Sequence, residues 1–147
     1  MNEAEASQLA ARTGGTPFAI DVYCDDGSHS PEEQDVLTFA INPVDQPPIW
    51  TIYAASKKWR HGHGQQLTKA HADARVALRG NRPLTDEEIT ADTYADPEVR
   101  VRYRLSCNRC DRPYRFLGDK LHPVLDRMAL GGVPRISLAR LAATVTN

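Results

Sequence analysis

The stretch VRVRYRLSCNRCDRPYRFL, residues 99 to 117, alternates apolar and basic side chains before it reaches two cysteines. A period of two is typical of a β-strand with one buried and one exposed face. The apolar positions are Val99, Val101, Tyr103 and Leu105, and the basic positions between them are Arg100, Arg102 and Arg104. PYRFL (113–117) is rich in strand-forming residues, so the sequence predicts a hairpin with the cysteines in its turn.

Cys107 and Cys110 lie three positions apart between the two predicted strands. A redox pair needs its first cysteine at a helix N-terminus, whereas an arginine-bearing strand precedes Cys107. The third cysteine, Cys24, ends another apolar strand and opens the turn CDDGSH, which places His29 five positions later. C-x2-C and C-x4-H together supply the three thiolates and one imidazole of a structural zinc site.

Other assignments stay open for these side chains. His61 and His63, in the glycine-broken segment RHGHG, compete with His29 for the fourth ligand position. A lone cysteine is commonly a small core residue, and a histidine beside acids and serine is commonly a surface residue. We interpret His71 and His122 as structural side chains.

Further strands are predicted upstream of the hairpin. The alternation in 18–23 and the apolar runs 36–41 and 49–55 indicate three strands joined as a meander. We interpret residues 56–98 as an insertion and predict a helix over 65–80. The stripe that indicates this helix is Leu67, Ala70, Ala74 and Leu78.

Two helices are predicted at the C-terminal end. The first lies within 118–132 and stops at a double glycine; its inward residues are Leu121, Val124, Leu125 and Met128. The second, LARLAATV, follows Ser137 as its cap, with Leu138, Leu141, Ala142 and Val145 facing inward. Residues 1–15 are small and polar, which indicates a flexible tail or a short marginal helix. The predicted fold is therefore α+β, a single domain over 16–147 with a small antiparallel sheet, a helical insertion and two C-terminal helices.

Length and charge limit the classes of function. The chain has 147 residues, the size of one domain, and no apolar run of membrane-spanning length. Three cysteines fit a reducing compartment better than a disulfide framework, and the N-terminus lacks the basic and apolar pattern of a signal peptide, so we expect a soluble, cytoplasmic protein. The net charge of −1 conceals alternating blocks: 1–48 is acidic, 49–82 basic, 83–99 acidic and 100–147 basic.

The cysteine-bearing segments 18–55 and 99–117 resemble a zinc ribbon, in which two knuckles at the tips of strand hairpins hold one zinc ion. This resemblance implies a structural Zn²⁺ held by Cys24, His29, Cys107 and Cys110. Ribbons carry C-x2-C in both knuckles, whereas this chain has Gly27 where the second cysteine would fall. The segment from CNRC through LHPVLDRMALGGVPRISLARLA also looks like small uncharacterised zinc-binding proteins of actinobacteria and their phages.

The basic residues are candidates for binding a partner. Arginines interleaved with Tyr103, Tyr114 and Phe116 suit phosphate contacts and base stacking in a nucleic-acid complex. The same charges, used together with the acidic blocks, suit a protein partner or a larger assembly, including a role as a structural component of a phage. The candidate binding residues are Lys57, Lys58, Trp59, Arg60, Arg100, Arg102, Arg104, Arg109, Arg112 and Arg115.

Enzymatic activity is not expected. The sequence has no GxxxxGK, HExxH or GxSxG motif, and a zinc ion with four protein ligands leaves no position open for water. The C-terminal helix LARLAATV has Arg140 as its only charged residue, which does not suit a base-reading helix. The sequence therefore predicts a non-catalytic zinc-binding interaction module, with nucleic-acid binding through the arginine-rich strand as the alternative.

Overall fold

The computed structural model describes residues 1–25, 35–54, 73–76, 78–79, 82–83, 101–106 and 113–145. The helices in these ranges are α1 (Glu3–Thr13), α2 (Gly118–Leu130) and α3 (Leu138–Val145). The strands are β1 (Phe18–Tyr23), β2 (Asp35–Ile41), β3 (Trp50–Ala54), β4 (Asp73–Val76), β5 (Leu78–Arg79), β6 (Arg82–Pro83), β7 (Val101–Ser106), β8 (Pro113–Leu117) and β9 (Arg135–Ser137). The predicted α+β class is confirmed.

The larger sheet has the strand order β3-β2-β1-β9. β1, β2 and β3 form the predicted antiparallel meander, in which Phe39 lies opposite both Ile20 and Ile52. The fourth strand differs from the prediction: β9 pairs parallel to β1, with Val22 opposite Ile136, so the sheet is mixed. Three residues are too few to show a period of two, which is why the sequence pattern gives no sign of β9.

The smaller sheet has the order β4-β7-β8 and contains the predicted hairpin. β7 and β8 pair antiparallel from Arg102 opposite Leu117 to Ser106 opposite Pro113. Tyr103 and Leu105 are both buried, as the alternation in the sequence predicts.

The helix predicted over 65–80 is wrong at Asp73–Val76, which forms β4. This strand pairs antiparallel with β7, so that Ala74 lies opposite Tyr103. β5 and β6 form a second short antiparallel pair. Pairing with a neighbouring strand satisfies the backbone groups and overrides a weak helical pattern. The rest of the insertion 56–98 lies outside the described ranges.

The N-terminal segment forms a helix rather than a flexible tail. Asn2 and Glu5 make a reciprocal capping box at the start of α1, and Gly14 ends the helix in the left-handed conformation, with φ of 66°. Leu9 is 1% exposed and belongs to the hydrophobic core. A single buried leucine among small residues is a weak periodic signal, although the caps at both ends can be read from the sequence.

The two predicted C-terminal helices are confirmed. α2 buries all four of its predicted inward residues, and α3 buries Leu138, Leu141 and Val145. The hydroxyl oxygen of Ser137 accepts a hydrogen bond of 3.1 Å from the backbone N–H of Arg140, as its predicted role as a cap requires.

Asp126 on α2 connects distant parts of the chain. Its Oδ1 accepts a hydrogen bond of 2.8 Å from the indole N–H of Trp50 on β3, and its Oδ2 lies 3.0 Å from the amino group of Met1. Arg12, in the last turn of α1, donates to the backbone carbonyl of Leu130. These contacts hold α1 against α2 and connect α2 to the larger sheet.

We expect Asp126→Ala to lower the free energy of unfolding by about 2 kcal/mol, because the buried indole N–H of Trp50 loses its acceptor. Asp126→Asn keeps an acceptor oxygen and should cost less. Asp119→Ala, at an exposed position in the first turn of the same helix, is the matched control. Urea unfolding measures the three differences, and equal losses for Asp126→Ala and Asp119→Ala would contradict the role assigned to Asp126.

Candidate functional site

Cys24 directly follows β1 and is 8% exposed, within the hydrophobic core. β1 is paired on one side with β2 and on the other with β9, so the strand that leads into Cys24 is fixed in position. A thiol at the end of a fixed strand is a suitable rigid donor for a metal. The same burial also fits the small core residue that many cysteines are.

The other two cysteines, Cys107 and Cys110, fall between β7 and β8 in the sequence. Ser106 and Pro113 form the last register pair, so residues 107–112 must connect two strands about 5 Å apart. Cys107 follows Ser106 in the sequence and is the first residue of this connection. The structure therefore describes the strands on both sides of the C-x2-C segment, and the segment itself lies outside the described ranges.

No three His, Cys, Asp or Glu side chains in the described ranges lie close enough together to hold a metal ion. Cys24 is the one predicted ligand within those ranges. The other ligand candidates lie outside them, namely His29, His61, His63, Cys107 and Cys110. The zinc site stays a prediction.

The outer side of the smaller sheet carries basic positions in register. Arg115 on β8 is exposed and lies opposite Arg104 on β7. The next pair on the same face, two register positions along, is Arg102 and Leu117, and Leu117 is 43% exposed. On β4, Asp73 lies opposite Arg104, and Arg75 lies opposite Arg102. Paired residues share a face of a sheet. We call this surface the arginine face; its positions are Asp73, Arg75, Arg102, Arg104, Arg115 and Leu117.

The aromatic residues between the arginines belong to the core. Tyr103 and Phe116 are opposite each other and are 2% and 4% exposed, and Tyr114 is half-buried against the core. Base stacking needs an accessible ring face, so the stacking role suggested by the sequence is wrong for Tyr103 and Phe116. The remaining predicted binding residues lie outside the described ranges, namely Lys57, Lys58, Trp59, Arg60, Arg100, Arg109 and Arg112.

A polar pair lies inside the molecule between β7 and α2. The hydroxyl oxygen of Tyr103 is 2.7 Å from Nε2 of His122, a hydrogen bond whose donor depends on the imidazole tautomer. The two rings also meet edge to face, with their centroids 5.6 Å apart. This geometry agrees with the structural role predicted for His122, whereas its partner cannot be identified from sequence spacing.

Burial lowers the pKa of His122 from 6.5 to about 4, because the interior disfavours the charged imidazolium. The carboxylates of Asp126 and Asp119 act in the opposite direction, and the Met1 amino group adds to the lowering. His122 is therefore neutral at physiological pH, a form in which Nε2 either donates to or accepts from the phenol, according to the tautomer.

Comparison of the chain with protein-family models, with curated proteins and with solved structures finds no match. Among the described residues, no helix combines the length and the apolar character needed to cross a membrane.

We expect acid to destabilise the protein through His122. Between pH 6.5 and about 4 the unfolded chain binds a proton at this histidine that the folded protein does not bind, so stability falls as pH falls through this window. His122→Gln keeps a polar partner for Tyr103 and removes the titration. From about pH 7 to about pH 4, the wild type should lose roughly 3 kcal/mol more stability than the variant.

Urea unfolding at a series of pH values provides this measurement. The two proteins differ at this one side chain, so the difference between their stability curves reports on His122. Parallel stability curves for the wild type and His122→Gln would show that burial of His122 does not control the acid sensitivity.

Proposed function

We propose that the protein is a non-catalytic zinc-binding interaction module that docks on a larger protein assembly in the cytoplasm. The observation that carries the proposal is the placement of Cys24 and of the two strands that flank the C-x2-C segment in the sequence. Cys24 is buried at the end of β1, and the C-x2-C segment joins two strands whose pairing runs up to Ser106 and Pro113. Strand ends and hairpin connections are where zinc ribbons hold their ligands.

The donor set supports zinc over other divalent ions. Three thiolates and one imidazole favour tetrahedral Zn²⁺, whereas Mg²⁺ and Ca²⁺ prefer oxygen ligands. Four protein ligands complete the coordination, so the ion has a structural role and no water is activated. His29 is the proposed fourth ligand, with His61 and His63 as its competitors.

The arginine face supports a protein partner. Its arginines form rows on a sheet, and the neighbouring rings of Tyr103 and Phe116 are buried. This arrangement offers ion pairs and planar hydrogen bonds to carboxylates but no stacking surface from those two rings. An acidic protein surface meets these demands, and the acidic blocks of the chain can contact basic residues of the same partner. Lys57, Lys58, Trp59 and Arg60 are proposed as an extension of this contact.

Nucleic acid is the second candidate, because Arg104 and Arg115 lie directly opposite each other. Like charges in register destabilise a sheet, and a phosphate group between two arginines removes that repulsion. A polycarboxylate removes it equally well. The nucleic-acid candidate therefore predicts that the arginine face binds phosphates more tightly than carboxylates of equal charge. The protein candidate predicts no such preference.

We expect one zinc ion per chain, lost on substitution of a cysteine ligand. Cys24→Ser and Cys107→Ser should each abolish bound zinc and lower the thermal midpoint, since such a site contributes apparent binding energy on the order of 10 kcal/mol. His71→Gln, at a histidine not proposed as a ligand, is the control. Elemental analysis of the reduced protein measures the zinc content of each variant.

The same measurement of zinc content identifies the fourth ligand. Of the variants His29→Asn, His61→Asn and His63→Asn, we expect only His29→Asn to weaken zinc binding. Absence of zinc from the wild type, or a full zinc content in Cys107→Ser, would contradict the proposed site.

We expect Arg115→Glu to weaken binding of polyglutamate to the full-length chain by about tenfold at low salt, because it replaces an exposed cation of the arginine face with an anion. Arg127→Glu, at an exposed arginine in the last turn of α2, is the matched control and should bind as the wild type does. Fluorescence anisotropy against polyglutamate and against single-stranded and duplex DNA compares the two partner classes. Tighter binding of DNA, with a steep salt dependence, favours the nucleic-acid candidate instead.

A further inference from the structure

A groove lies between α1 and the loop 42–49, which connects β2 to β3. Its volume is about 530 Å³, and its walls include Ala6 and Ser7 of the helix and Pro43, Val44 and Pro47 of the loop. Among the described residues that line the groove, none is a proposed zinc ligand and none belongs to the arginine face.

Both walls of the groove are held by other parts of the fold. α1 is capped at both ends, is anchored by Leu9 in the core and contacts α2 through Arg12. The loop begins and ends at the register pair Ile41 and Trp50, which closes β2 against β3.

Three prolines and an internal turn restrict the loop itself. Pro43, Pro47 and Pro48 have fixed φ angles, and the side-chain oxygen of Asn42 accepts a hydrogen bond of 3.3 Å from the backbone N–H of Val44. A groove with two fixed walls loses little conformational entropy when a ligand enters it.

The lining is apolar with an acidic component. Val44 is 56% exposed, the most exposed large hydrophobic side chain of the described ranges. Glu3 on the helix and Asp45 on the loop supply one acidic residue from each wall, and no Lys, Arg or His is among the described residues that line the groove. The Met1 amino group is paired with Asp126, and neither Glu3 nor Asp45 has an ion pair within the described ranges.

We infer that this groove binds a short extended peptide of a partner protein, which inserts an apolar side chain beside Val44 and carries a Lys or Arg toward Glu3 and Asp45. The acidic lining repels phosphate groups, so anionic lipid and nucleic acid are unsuitable occupants. The loop prolines lack N–H donors, so recognition relies on side-chain burial and charge rather than on a β-ladder. The protein thus has a second docking surface whose charge is opposite to that of the arginine face.

The probes are blocked peptides with the sequences Gly-Leu-Arg-Val-Gly and Gly-Leu-Glu-Val-Gly, titrated into the full-length ¹⁵N-labelled chain. The arginine peptide should shift the backbone amides of Ser7, Val44 and Gln46, with a dissociation constant on the order of 1 mM, as expected for so small a contact. The glutamate peptide should bind at least about tenfold more weakly.

Two variants test the carboxylates and the shape of the groove. The double variant with Glu3→Lys and Asp45→Lys should bind the arginine peptide about tenfold more weakly than the wild type, or more weakly still. The control variant Asp119→Lys should bind the peptide as the wild type does. Ser7→Tyr fills the groove from an exposed helix position and should abolish the shifts without changing the charge. The urea midpoint of each variant shows that the chain remains folded.

Three outcomes overturn the inference. The first is the absence of shifts at Ser7, Val44 and Gln46 with the arginine peptide. The second is equal binding of the arginine and glutamate peptides. The third is movement of the same amides on dilution of the protein alone, which identifies a second copy of this chain as the occupant. Zinc content and polyglutamate binding are measured separately, so none of these outcomes bears on the zinc module.

Discussion

Tyr103, in the smaller sheet, contacts both the larger sheet and α2. Its ring lies edge-on to Phe39 of the larger sheet, with the centroids 5.9 Å apart, and its hydroxyl group bonds to His122 of α2. Burial of the ring fixes the register of β7, because a shift by one residue would turn the arginine positions inward and Tyr103 outward. The direction of the arginine face and the position of the hairpin connection both depend on this contact.

Strong local periodicity made much of the fold predictable. The strands β1, β2, β3, β7 and β8 and the two C-terminal helices follow from alternation, helical spacing and the cap at Ser137. The errors lie where pairing with a distant strand decides the structure. β4 takes its conformation from β7, and β9 takes its place from β1; neither segment is long enough for its own pattern to show this.

The candidate site was less predictable for a related reason. Sequence spacing identifies donor types, so Cys24 and the C-x2-C segment could be selected, and alternation identifies the arginine face. Spacing cannot identify partners across the core, such as Tyr103 for His122 or Trp50 for Asp126, since these pairs come from different elements. Strict alternation does imply that Tyr103 and Phe116 lie on the face opposite the arginines, where they are buried and unavailable to a ligand. The acidic groove beside α1 depends on how a helix and a proline-rich loop pack, which no single segment encodes.

The central claim is that one zinc ion joins the end of β1 to the connection between β7 and β8. X-ray absorption spectroscopy at the zinc edge of the purified, reduced chain tests it most directly. The account predicts three sulfur neighbours at about 2.3 Å and one nitrogen neighbour at about 2.0 Å. A shell of oxygen and nitrogen neighbours without sulfur would contradict it.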